Sequence, residues 1–165
     1  RFLSCVSGDK DSLKLAWLFM FTISGAPCLF YGDEIGMDGG HDPECRKSFP
    51  WDESKWDHDL RNQIRTYIQL RHDHPALRTG DYIPLFAENG ILAFMRKDDK
   101  ESLIIIINTS AAAYNIDIPL KDLLTEGTVL KDQLSDKNAI IQGNRLRDLS
   151  LPPDRGVVLA EKAFG

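Results

Sequence analysis

Residues 32–55 gather the side chains best able to do chemistry. Asp33, Glu34, Asp38, Asp42, Glu44, Asp52 and Glu53 lie there with His41, Arg46, Lys47 and Trp51, and Gly36, Gly39 and Gly40 give the backbone freedom to turn. Carboxylates accept hydrogen bonds, a guanidinium donates a fixed fork of them, and an indole offers a flat apolar face. Such a set can bind sugar or polyol hydroxyls. The same oxygen-rich set can hold a hard cation, and it can equally be a solvated polar loop without a ligand. Composition leaves these three readings open. Asp33 and Glu34 are adjacent in sequence, so they cannot be assumed to flank a reacting bond as paired acid and base.

A polar loop of this length inside a compact domain needs rigid elements at both ends. Upstream, Asp11 or Ser12 can cap a helix running to about Ser24, which Gly25 and Pro27 stop. It is apolar nearly all round from Leu13 to Phe21, and so should be buried on several sides. Pro27–Tyr31 is a short continuous apolar run, the pattern of a parallel strand covered on both faces. The loop leaves the carboxyl end of that strand, where ligands bind in parallel α/β folds. Downstream, a helix over Asp57–His72 aligns Leu60, Ile64, Tyr67, Ile68 and Arg71, and His74-Pro75 ends it. One strand cannot make a parallel sheet, so this half reads as a piece of an α/β fold.

The chain changes character near residue 80. All three Cys, all three Trp and all four His precede that point, while charge divides evenly across it. Beyond it, short strands are expected at Asp81–Phe86, Ile91–Arg96, Ser102–Asn108, Tyr114–Ile118, Thr128–Leu130, Arg145–Leu149 and Gly156–Ala160. Asn89-Gly90, Gly143-Asn144 and Pro152-Pro153-Asp154 are among the turn signals between them. This spacing predicts an antiparallel sandwich, with Leu103–Ile107 as its central strand and Tyr82, Phe86, Phe94 and Tyr114 in its core. Two regions result, 1–79 and 80–165. The second is long enough to keep its own core if the chain is cut between them.

Charge and length exclude several roles. Twenty basic against 25 acidic residues give the 165-residue chain a net charge of -5. It has no basic face to displace phosphate counterions, which argues against nucleic acid and against a polybasic membrane anchor. The longest apolar run, Leu15–Ile23, is too short to span a bilayer. Cys5, Cys28 and Cys45 are odd in number and form no CxxC pair, which points to reduced, mostly buried thiols in a cytoplasmic setting. His72 and His74 at a helix end complement its dipole, and His58 supplies polarity at a helix start. No metal and no cofactor are expected. Trp51 reads as an anchor for the returning loop before it reads as a sugar platform.

The string Gly25-Ala26-Pro27-Cys28-Leu29-Phe30-Tyr31-Gly32-Asp33-Glu34-Ile35-Gly36 resembles the Gly-x-Pro-x-x-Tyr-Tyr-Gly-x-Glu-x-Gly segment of the α-amylase family of glycoside hydrolases, with Phe30 in place of the first Tyr. Asp38-Gly39-Gly40-His41-Asp42-Pro43-Glu44-Cys45-Arg46-Lys47 followed by Trp51-Asp52 is similar to the neopullulanase, cyclomaltodextrinase and maltogenic amylase branch. Arg71-His72-Asp73-His74-Pro75-Ala76-Leu77-Arg78-Thr79-Gly80 resembles that family's Arg-x-x-x-Pro-Ala-Leu-x-x-Gly stretch, and Arg1-Phe2-Leu3 fits the residues after its His-Asp motif. The likeness is close over residues 1–80 and general beyond.

That resemblance implies the last slice of a (β/α)8 TIM barrel, namely its seventh helix, eighth strand and eighth helix, followed by a C-terminal β-sandwich. It implies a retaining hydrolase of α-glucosidic bonds, with α-glucan oligosaccharides as partners of the whole enzyme. The family's nucleophile, general acid/base and third Asp lie on strands before Arg1, so no catalytic residue is assigned and the fragment is expected to be inactive. Asp42 and Arg46 match the family's pair that holds a sugar at an outer donor-side subsite, or else form a structural ion pair, and His41 is a further candidate on the substrate groove. Tyr31, Gly32 and Glu34 match barrel architecture, Glu34 being expected to hydrogen-bond at the rim. Uncovered apolar surface is seldom tolerated in monomers, so self-association through residues 1–35 is expected alongside contact with the rest of the barrel. A structural and assembly module is the alternative.

Overall fold

A computed structural model describes residues 1–161 of the chain. After a single turn of helix, α1 (Phe2–Cys5), comes α2 (Lys10–Thr22). Its cap is Asp9, two residues before the expected position, because the Asp9 carboxylate accepts from the Asp11 and Ser12 amides and from the Ser12 hydroxyl. Leu13, Leu15, Trp17, Leu18 and Phe21 are buried, while Phe19 stays exposed. α3 (His58–Asp73) is capped by Asp57 through the Leu60 amide, and α4 (Ala76–Thr79) follows. The buried stripe of α3 is Leu60, Ile64, Tyr67, Leu70 and Arg71. Leu70 takes the place expected for Ile68, which faces solvent.

Pro27–Tyr31 is not a strand. It carries no ladder among the described residues, because an extended segment becomes a strand only beside a hydrogen-bonding partner. Phe30 and Tyr31 are exposed. The cysteines also depart from expectation. Cys5 and Cys28 are exposed, Cys45 is half-buried, and all three are free. They sit on segments with nothing packed over them.

The second region has eight strands: β1 (Asp81–Glu88), β2 (Ile91–Lys97), β3 (Ser102–Asn108), β4 (Tyr114–Pro119), β5 (Val129–Asp132), β6 (Asn138–Gln142), β7 (Arg145–Leu151) and β8 (Arg155–Glu161). They form one sheet in the order β1-β2-β3-β8-β5-β6-β7-β4 with every pair antiparallel. The sheet curls over on itself like a barrel. Leu85 of β1 shares an inner core with Ile116 and Ile118 of β4, and the rings of Phe86 and Tyr114 lie 6.3 Å apart. β6 is the strand the spacing missed. Its alternation of Ala139 and Ile141 inward with Asn138, Ile140 and Gln142 outward was the available signal, and Gly143 and Asn144, both at positive φ, close the hairpin to β7.

β3 is the central element and is buried along its whole length. Ile104 and Ile106 point into the inner core with Val157 and Leu159 of β8. Leu103, Ile105 and Ile107 point the other way, into a second core with Val158, Ala160 and the buried faces of α2, α3 and α4. The helices therefore lie against the outer face of the sheet. Phe94 belongs to that outer core, whereas Tyr82 is exposed and stacks on it at 4.9 Å, so the expected core aromatics are only partly in the core.

Two arginines close the C-terminal end of α2. Arg96 on β2 is 1% exposed and donates to the carbonyls of Thr22, Leu77 and Gly80 at 2.8–3.0 Å. Arg71 donates to those of Phe21, Ile23 and Gly25. Both satisfy the carbonyls that a helix leaves unpaired at its last turn and place positive charge at the negative end of its dipole. Gly156 lets α2 approach the sheet, since a Cβ there would overlap Leu18 Cδ2 and stand 3.2 Å from the Ile106 carbonyl oxygen.

Candidate functional site

The 32–55 loop starts and ends at one point. Gly32 and Gly36, both in the left-handed region, flank a 3-10 turn over Asp33–Ile35. Ile35 is buried, and its carbonyl accepts from the Asp57 amide at 3.1 Å, so chain entry and exit are tied together just before α3. The Lys10 ammonium pairs with Asp57 at 2.6 Å. Burial pushes the Asp57 carboxyl up, but Lys10 and the Leu60 amide outweigh it and hold the carboxyl below its ordinary value.

Three further ties shape the excursion. Arg1 donates from Nε to the Cys45 carbonyl at 3.1 Å and from Nη1 to the Tyr31 carbonyl and the Asp33 carboxylate, both at 2.7 Å. Its guanidinium lies 4.6 and 4.9 Å from the Phe30 and Tyr31 ring centroids. The Tyr31 hydroxyl donates to the Lys47 carbonyl at 3.0 Å, and the Ser4 hydroxyl accepts from the Gly39 amide at 2.8 Å. On the far limb, Trp56 Nε1 donates to the Pro50 carbonyl at 2.6 Å, with Phe49 edge-on to the indole and Arg61 over it. Trp56 is thus the loop anchor, and Trp51, expected in that role, is 83% exposed with only Phe49 beside it.

Asp42 and Arg46 are brought together on the outer edge of this loop. Arg46 Nε donates to Asp42 Oδ2 at 3.1 Å, and both side chains are mostly exposed. A 3-10 turn over Glu44–Arg46 sets the spacing. The Arg46 Nη groups and Asp42 Oδ1 make no other hydrogen bond among the described residues, which leaves two donors and an acceptor facing outward side by side. His41 is exposed; its carbonyl accepts from the Cys45 amide at 3.4 Å, and its imidazole has no hydrogen bond among the described residues. Lys47 pairs with Asp38 at 2.7 Å and holds that carboxyl below its ordinary value.

An exposed ion pair is worth at most about 1 kcal/mol. The Asp42–Arg46 pair is therefore not what pins the loop, since buried and half-buried donors on Arg1, Tyr31 and Trp56 already do so. The arrangement can accept from one hydroxyl and donate to its neighbour, which is the pattern of vicinal sugar hydroxyls.

The other candidates are structural. Asp33 is Arg1's carboxylate partner, and Glu34 makes no hydrogen bond among the described residues, contrary to its expected role at a rim. His58 opens α3, and the ring of His74 meets Glu101 at 2.8 Å, where the same carboxylate accepts from the Ala76 amide. Among the described residues no group of three or more His, Cys, Asp or Glu is placed to hold a metal ion, and no helix is long and apolar enough to cross a membrane. Arg1, Ser4 and Trp56 were not singled out by sequence. Their partners lie 6 to 44 residues away and are mostly main-chain carbonyls, which leave no mark on residue type.

The fold and this loop are those of α-amylase-family glycoside hydrolases. Residues 82–158 match the neopullulanase-like C-terminal domain, and the chain belongs to that neopullulanase, cyclomaltodextrinase and maltogenic amylase group. It is 47% identical over 118 residues to a cyclomaltodextrinase of a Bacillus species, covering 70% of this chain and 21% of that protein. It is 37% identical to the cyclomaltodextrinase of Geobacillus thermopakistaniensis, covering 99% of this chain and 28% of that protein. Among solved structures, the α-amylase of Geobacillus thermoleovorans complexed with acarbose superposes with a TM-score of 0.86 at 26% identity, over 97% of this chain and 36% of that one. The chain thus spans about a fifth to a third of the length of these proteins.

Proposed function

We propose that the chain serves as the C-terminal part of a retaining α-glucan hydrolase that cleaves α-1,4 and also α-1,6 glucosidic bonds in cyclodextrins, pullulan or maltooligosaccharides. Residues 1–79 take the place of the last slice of its (β/α)8 barrel, and 80–165 that of its C-terminal β domain. In this reading Pro27–Tyr31 becomes the eighth strand when a neighbouring strand is present to pair with it. The catalytic carboxylates belong to earlier strands, so the chain alone does not turn over substrate. Its free cysteines suit the cytoplasm.

The observation that carries the reading is the outward-facing Asp42–Arg46 pair on a loop that other residues already hold. Asp42 and Arg46 grip the hydroxyls of one glucose unit, with His41 at the edge of the same groove. Maltotriose titration followed by amide NMR tests it. Shifts centred on residues 41–46, with affinity falling at least tenfold in Asp42→Ala and Arg46→Met, are expected; unchanged affinity in both variants sinks the assignment. Cyclodextrin turnover by the purified chain would overturn the claim of inactivity.

An assembly role has its own support. Phe2, Phe19, Phe30 and Tyr31 expose large apolar surface on residues 1–35, a patch that self-association or the rest of a barrel would cover. Sedimentation at rising concentration, with a concentration-dependent melting temperature, is the expected outcome, and a monomer throughout would remove this role.

A further inference from the structure

The geometry points to Arg1 as the residue that positions the Asp42–Arg46 pair, an inference that rests on the sugar-binding reading above. Its side chain is 0% exposed, unusual for an arginine without a full set of partners. One guanidinium joins three parts of the loop. Nη1 holds the base at Tyr31 and Asp33, Nε holds the far limb at Cys45, one residue before Arg46, and the main-chain nitrogen of Arg1 holds the near limb at the Gly39 carbonyl, 3.0 Å away. Asp42 lies between those last two ties.

Nη2 is buried and without a hydrogen-bond partner. A partnerless buried donor is normally costly, and here the faces of Phe30 and Tyr31 offset the charge. The guanidinium is thus wedged against two rings and cannot swing without losing both limbs of the loop. Lysine would keep the charge and the apolar stem, but a single ammonium cannot span the Tyr31 and Cys45 carbonyls at once. Arg1 does not touch the proposed sugar. It sets where Arg46 stands relative to Asp42.

Arg1→Lys in the full chain isolates this role, because the main-chain tie to Gly39 is retained. Amide hydrogen exchange over residues 44–47 should speed up at least tenfold, and maltotriose affinity should fall at least fivefold, while exchange in β3 stays unchanged. Asp33→Asn, which weakens one Arg1 tie without touching the loop, should shift both readouts the same way by less, and it serves if Arg1→Lys does not fold. Unchanged exchange in the loop in the folded variants overturns the inference. So does a loosened loop with undiminished maltotriose binding, since Arg1 would then be structural only. If Arg46→Met binds as well as the unmodified chain, or the unmodified chain does not bind, it is the sugar reading that fails, and loop exchange alone then decides for or against Arg1.

Discussion

β3 and the 32–55 loop are held by opposite means. Every residue of β3 is buried, and its alternate side chains fill two cores. In the loop, only Gly32, Ile35 and Gly39 are buried, and its course is set by a few donors that reach in from elsewhere. The strand's shape is thus written in its own residues, and the loop's shape in residues outside it. Damage to the first should cost the whole fold, whereas damage to the second should cost shape and leave the fold standing.

The largest expected effect is at Arg96, where the helices and sheet meet. Arg96→Met leaves the Thr22, Leu77 and Gly80 carbonyls without donors in the interior and should destabilise by about 3 kcal/mol or more. Urea unfolding measures it, and a loss under about 1 kcal/mol would mean that the junction holds without these bonds. Gly156→Ala should follow at about 1–3 kcal/mol, because the new Cβ overlaps Leu18 on α2; a neutral result would show that α2 is free to move off the sheet.

Asp57→Ala comes next, at about 1 kcal/mol for the lost helix cap. Its contribution has a definite pH sense. The folded carboxyl sits below its ordinary value, so the stabilisation is present above about pH 4 and is lost as pH falls through the lowered folded value. Unfolding midpoints of the unmodified chain and the variant should therefore converge on acidification; a constant gap would show that the Asp57 charge is irrelevant. Trp51→Ala should change stability by less than about 0.5 kcal/mol, as expected for an exposed side chain, and a larger loss would show that the loop is self-supporting after all.

The same contrast explains what could be read from sequence. β3 and β8 announce themselves as apolar runs between turn signals, and Asp42 and Arg46, four apart, were legible as a pair because both partners lie in one short segment. β6 was overlooked because Asn138, Ile140 and Gln142 dilute its two inward residues. Pro27–Tyr31 has the composition of a buried strand, yet pairing is a property of two segments and its partner is not among the described residues. Trp51 and Trp56 are chemically alike, and only the Pro50 carbonyl and the Arg61 guanidinium decide which of them anchors the loop. The cysteines follow the same rule, since burial depends on what covers them.

The alternation along β3 has a consequence for any cut at Gly80. Leu103, Ile105 and Ile107 would lose their opposite wall on one side of the cut, while Leu13, Leu18, Leu60 and Ile64 would lose theirs on the other. Each piece would then hold an apolar surface matched to the other, and the two should recombine when mixed. A boundary that looks like a seam in the sequence is, in three dimensions, where two complementary halves of a split protein would find each other.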